Sequence, residues 1–158
     1  MDTQYSQKYS LVQFFEETTI GQSFHMSEWP MHVTLADVFA VTVTDQLHEE
    51  LRLFIEKSDG ASSTVTSEGV LGTTPVWLLD PTPPLVQLHR DIVEILEKHG
   101  AVFNTPEFVK DGYIPHITKQ YTDTMSIGDT VHVNRLSLID MFPNNDWQTR
   151  VVLFTHPG

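Results

Sequence analysis

The chain has 158 residues, no cysteine, and 21 acidic against 9 basic side chains, for a formal charge of -12. That length suits one globular unit whose core needs no disulfide or metal staple, and a field of this sign opposes extended duplex nucleic acid while leaving a small phosphate ester or a single RNA end open as a ligand. No apolar run is long enough to span a bilayer and the start MDTQYSQKYS has no secretory signal pattern, so a cytoplasmic monomer without membrane contact is the expectation.

In chain order, KYSLVQFFE at 8–16 and MHVTLADVFAVTV at 31–43 are rich in β-branched and aromatic residues and read as strands. The polar SFHMSEWP between them reads as loop. Thr44 then caps DQLHEELRLFIEK, where Leu47, Leu51, Phe54 and Ile55 recur at i, i+4, i+7 and i+8 and give one helix face an apolar stripe. ASSTVTSEGVLG and PVWLLD follow as paired strands ending at Asp80-Pro81. Thr82 before Pro83 and Pro84 opens a second helix; Leu85, Leu88, Ile92, Ile95 and Leu96 line one face, and Gly100 is placed to stop it. A turn-rich stretch near NTPEFVKDG precedes strands at 114–121, 130–141 and 147–155, with PNNDW turning the chain between the last two. No linker or low-complexity tract interrupts this order. The expectation is an α+β fold, a single domain over 1–158 whose halves share one core.

Two tripeptides stand out, His32-Val33-Thr34 and His116-Ile117-Thr118. On a strand, alternate side chains share a face, so each presents an imidazole and a hydroxyl to one surface and an apolar anchor to the other. With eight histidines and 28 serines and threonines, chance supplies about one or two such His-x-Ser/Thr matches. A third, His25-Met26-Ser27, lacks strand context and reads as a loop accident. The other two share threonine, strand context and equivalent places in two loosely similar halves, 84 residues apart, as a duplicated lobe would place them.

MHVTLADV and IPHITKQY resemble the two signature motifs of the 2H phosphoesterase superfamily, whose members include cyclic phosphodiesterases and the proteins called 2'-5' RNA ligases. The resemblance implies a bilobal, pseudo-twofold fold, with antiparallel sheets forming a central cleft and helices packed outside. It implies metal-independent action on a phosphodiester with no cofactor, His32 and His116 as the catalytic pair, and Thr34 and Thr118 as phosphate ligands. One departure is Lys119, where many relatives place an apolar residue; strand alternation points it away from the site.

That chemistry suits these residues. Cleavage removes a proton from the attacking oxygen and gives one to the leaving oxygen, and two imidazoles with pKa near 6.5 can divide the tasks. Which is base and which acid is not assigned by the sequence. Threonine hydroxyls can bind the nonbridging oxygens as their charge grows. A nucleotide or RNA end is the implied substrate, a terminal 2',3'-cyclic phosphate first and a 2'-5' linkage or ADP-ribose cyclic phosphate behind it. Trp29, Tyr113 and Phe142 are candidates by position for stacking a base, with core packing the competing role for each.

Other readings stay open. His48, His89 and His99 lie on or just after helices and read as solvated; His132 reads as a surface strand histidine, and Arg135 and Arg150 as surface ion pairs or local positive charge. His48-Glu49-Glu50 is followed by Arg52 where a metalloprotease helix needs its second histidine. A zinc site from His32, His116 and His25 would leave the paired threonines without a role. The alternative from another class is a nucleotide- or RNA-end-binding module that keeps the cleft without turnover.

Overall fold

The computed structural model describes residues 7–119 and 125–157. Among these residues ten strands and two α-helices follow in the order β1 (Tyr9–Phe14), β2 (Ser23–His25), β3 (His32–Ala40), α1 (Asp45–Lys57), β4 (Ala61–Leu71), β5 (Thr74–Leu79), α2 (Pro83–Lys98), β6 (Val102–Phe103), β7 (His116–Thr118), β8 (Thr130–Val133), β9 (Leu136–Asp140) and β10 (Thr149–His156). The fold is α+β and dominated by antiparallel pairing.

The helices form where the apolar spacing and caps place them. The Thr44 side chain accepts from the Leu47 backbone N–H, and the Thr82 side chain from that of Leu85, each satisfying a donor that the first turn leaves without a partner. Leu47, Leu51 and Ile55 of α1 are buried, as are Leu85, Leu88, Ile92 and Leu96 of α2. Gly100 has φ +85, the left-handed conformation that ends a helix at low cost.

The strands run side by side in the order β2-β10-β9-β1-β3-β7-β5-β4-β8, with β6 on the far end of β3. The boundary between β3 and β7 divides the sheet into two lobes. One lobe holds β1, β2, β3, β9 and β10, the other β4, β5, β7 and β8. The lobes are therefore not the two halves of the chain: the first is built from both ends and the second from the middle.

Several expected strands are shorter than the apolar runs suggested. The run at 31–43 pairs only to Ala40. The run at 130–141 is cut at Asn134-Arg135 because β8 belongs to one lobe and β9 to the other. Gln13, itself buried, holds this crossing: its Oε1 accepts the backbone N–H groups of Asn134 and Arg135 at 2.8 Å each, and its Nε2 donates to the His132 carbonyl at 2.9 Å. The run at 114–121 pairs as His116–Thr118; its last two residues lie outside the described ones. The segment read as loop contains β2, which pairs β10 through His25 and Thr149.

One core cluster joins Val33, Leu35 and Ile117 to the buried faces of both helices and to Leu136 and Leu138. A smaller one, Val12, Phe14, Ile139 and Val152, packs with Phe24, Trp29 and Met141. By strand alternation Val12 and Phe14 point opposite to Leu11, so this second cluster lies on the other face of the sheet, the face that carries the two histidine motifs.

Candidate active site

Val33 of β3 pairs with Ile117 of β7. Both side chains are fully buried in the larger core, which turns the flanking residues to the opposite face. Antiparallel geometry then sets His32 across from Thr118 and Thr34 across from His116, with the two imidazoles on a diagonal. The outer strands continue both rows: Phe14 lies beside His32 and Val12 beside Thr34, Val76 beside Thr118 and Leu78 beside His116. Four polar side chains thus occupy the centre of one sheet face, bordered by apolar ones.

Both histidines are oriented by the same local device. His32 Nδ1–H donates to the Pro30 carbonyl at 2.8 Å, and His116 Nδ1–H to the Ile114 carbonyl at 2.7 Å. A carbonyl can only accept, so each neutral ring carries its proton on Nδ1 and leaves the Nε2 lone pair free. Their environments differ. His32 is buried between Phe14, at 5.8 Å, and Trp29, whose ring lies 4.5 Å away at 31°. Burial pushes its pKa down to about 4; the Pro30 carbonyl opposes the shift and the nearby His116 charge adds to it. His32 is therefore neutral near pH 7. His116 is only partly buried.

A cleft of about 500 Å³ opens over these residues. His32, Thr34, His116 and Thr118 line it, with Trp29, Tyr113, Phe108, Ile114 and Asp37 on its walls. Of the three aromatic candidates for base stacking, Trp29 and Tyr113 line the cleft and Phe142 does not. Trp29 also packs on Phe14 and Phe24. Tyr113 donates from its hydroxyl to the Thr34 carbonyl at 2.8 Å, and burial raises its pKa. A depression of about 600 Å³ between α1 and α2, lined by residues such as Glu50, Lys57, Ser58 and Asp91, contains neither a histidine nor a threonine among its described lining residues.

His89 corrects an expectation. It is buried, not solvated: Nδ1–H donates to the Leu35 carbonyl at 2.6 Å, Nε2 accepts the Lys110 backbone N–H at 2.9 Å, and the ring stacks on Tyr113 with centroids 3.8 Å apart. Both ring nitrogens are engaged only if the ring is neutral, and burial lowers its pKa accordingly. The Leu35 carbonyl is exposed to this bond by a bulge, since Leu11 and Val12 of β1 face Ala36 and Thr34 of β3. His89 and Tyr113 so fasten β3 just beyond its motif. His48, also read as solvated, stacks on Phe154 and meets His156 with Nε2 atoms 2.8 Å apart, and His99 reaches Glu50 at 3.2 Å.

The remaining sequence candidates fall elsewhere. His25 engages Ser27 through Nδ1 at 2.7 Å and does not line the cleft. His132 is exposed against Ser62. Arg150 donates to the Met141 and Trp147 carbonyls, with no ion pair among the described residues, and Arg135 borders a separate depression with Glu16 and Glu17. Lys119 pairs with Glu68 and lies 4.3 Å over the Trp77 ring, on the face away from the site. Among the described residues no group of three or more His, Asp or Glu side chains converges to hold a metal ion.

This fold is shared with solved phosphoesterase and LigT structures, and together with the family match it is that of the 2H phosphoesterases. The sequence matches the 2'-5' RNA ligase superfamily over residues 14–145, and the chain belongs to that family. Membership supports a phosphoesterase-type enzyme. Solved structures share the architecture: a phosphoesterase at 16% identity and a TM-score of 0.56, with 94% of this chain and 96% of that one covered. E. coli LigT complexed with 3'-AMP follows at 17% identity and 0.53, again over 94% and 96%. LigT in its apo form gives 16% and 0.50 over 94% and 95%. No curated protein matches the chain.

Proposed function

We propose that the protein is a metal-independent phosphodiesterase acting on a nucleotide or RNA-end phosphodiester, a 2',3'-cyclic phosphate or a 2'-5' linkage, through general acid/base catalysis by His32 and His116. The observation that carries this reading is the repeated tie of Nδ1 to the carbonyl two residues upstream, which frees both Nε2 atoms beside two hydroxyls. The E. coli LigT structure complexed with 3'-AMP supports a nucleotide as the kind of ligand such a cleft takes.

For a cyclic phosphate, His32 is the base because its buried ring is neutral. Its Nε2 takes a proton from water as the water oxygen bonds to phosphorus. The bond from phosphorus to one ribose oxygen breaks, and that oxygen takes the Nε2 proton of a protonated His116. The products are a phosphomonoester and a free hydroxyl, and the two histidines exchange protonation states until the solvent resets them. Thr34 and Thr118 donate to the nonbridging oxygens, whose charge grows in the transition state. Trp29 walls the cleft and packs against the His32 ring.

The test is incubation of pure, chelator-treated protein with nucleoside 2',3'-cyclic phosphates and 2'-5' dinucleotides. His32→Ala and His116→Ala should each lower kcat/KM by about 100- to 10,000-fold, and Thr34→Ala or Thr118→Ala should lower kcat by about 100-fold. Binding without product would make the protein a nucleotide-binding module. Product that survives loss of both histidines, or activity lost to chelator and restored by zinc, would overturn the mechanism.

A further inference from the structure

A site for phosphate esters ordinarily recruits arginine or lysine, because a fixed cation offsets the ligand's charge. All nine lysines and arginines of this chain lie among the described residues, and none lines the cleft. Arg52, Lys98, Lys110 and Lys119 are paired with glutamates on other surfaces. Arg90, the cation next in sequence to cleft-lining His89, is paired with Asp111. Lys8 reaches Asn104, and Arg150 is committed to backbone carbonyls.

The charged group that does line the cleft is Asp37, which is exposed. Around it the whole chain carries -12. The positive charge available to a bound phosphate is then one protonated histidine, which balances one negative charge. The walls beyond the reacting phosphate are apolar and open: Phe108 is 47% exposed and Ile114 37% exposed. They suit an uncharged nucleoside body better than a run of phosphates.

Resting on the proposed phosphodiesterase activity, we infer that the cleft selects a nucleoside-sized phosphodiester carrying a single negative charge and rejects the same molecule once further phosphates are attached. The substrate is a free nucleoside cyclic phosphate and not the end of an RNA strand. Each additional phosphate enters a region that no lysine or arginine lines, against Asp37 and an acidic surface. The discrimination is electrostatic, so it acts on binding and weakens as salt shortens the range of the field.

The experiment compares adenosine 2',3'-cyclic phosphate with its 5'-phosphorylated counterpart. At about 0.01 M ionic strength, where the Debye length is about 30 Å, the added phosphate should lower kcat/KM by about tenfold or more, chiefly through KM. Near 1 M, where that length is about 3 Å, the two substrates should converge. Asp37→Lys should narrow the gap at low salt. Equal use of both substrates at low salt, or preference for the 5'-phosphorylated one, overturns the inference. So does a gap that ignores both salt and Asp37→Lys, which would mean exclusion by shape. Should neither compound turn over, the phosphodiesterase reading fails, and calorimetric Kd values for the same pair, expected to differ in the same sense and with the same salt dependence, still decide the charge question.

Discussion

Each imidazole of the proposed pair is aimed by a carbonyl two residues before it, Pro30 for His32 and Ile114 for His116, so orientation is a property of the local chain and not of a distant partner. The consequence for catalysis is readable in pH. With the His32 pKa held near 4, this proposed base stays unprotonated through mildly acidic solution. The acidic limb of kcat/KM is therefore expected near pH 4, well below the ordinary imidazole value of about 6.5. A limb near 6.5 would show that His32 is not the base. The pairing of imidazole and hydroxyl was legible in the sequence because strand alternation fixes it. The carbonyl anchors were not, since the direction of a carbonyl just before a strand is set by the irregular chain there and not by side-chain alternation. His89 was legible and missed: it sits one residue after Leu88 and three before Ile92, inside the buried stripe of its own helix.

At the level of elements, helix limits were read well because caps and apolar spacing are local. Strand limits were read less well because pairing partners decide them. The run from Thr130 to Asp140 is continuous in hydrophobic character, yet Gln13, more than a hundred residues away in sequence, marks where it changes lobes. Gln13→Ala would leave two backbone N–H groups and one carbonyl without their partner and should cost about 2 kcal/mol or more. Thr82→Ala, which removes one cap bond of α2 and the hydroxyl's bond to the exposed Ser62 carbonyl, should cost about 1 kcal/mol. Urea unfolding of the two variants tests the ranking, and a Gln13 variant no less stable than the Thr82 variant would mean that the crossing does not depend on that side chain.

For the molecule as a whole, acid should act on stability before it acts on charge repulsion alone. His32 and His89 both have folded pKa values below the unfolded value of about 6.5. In the window below about 6.5 the unfolded chain binds more protons than the folded one, so stability is fully present above it and is lost as pH falls toward about 4. The urea midpoint should therefore drop between about pH 7 and pH 5, with a shallower pH slope in His89→Gln. An unchanged slope would remove His89 from this account.

The division of the sheet into lobes that ignore the halves of the chain carries a consequence for how the protein can be cut. A break in the β4–β5 hairpin after Gly72 separates β1 to β4 from β5 to β10, and each piece then holds strands of both lobes but all the strands of neither. Neither fragment owns a closed core, and each carries one histidine and one threonine of the site. Residues 1–72 and 73–158 made separately should stay unfolded alone and regain cooperative structure only on mixing, with activity that saturates at one copy of each.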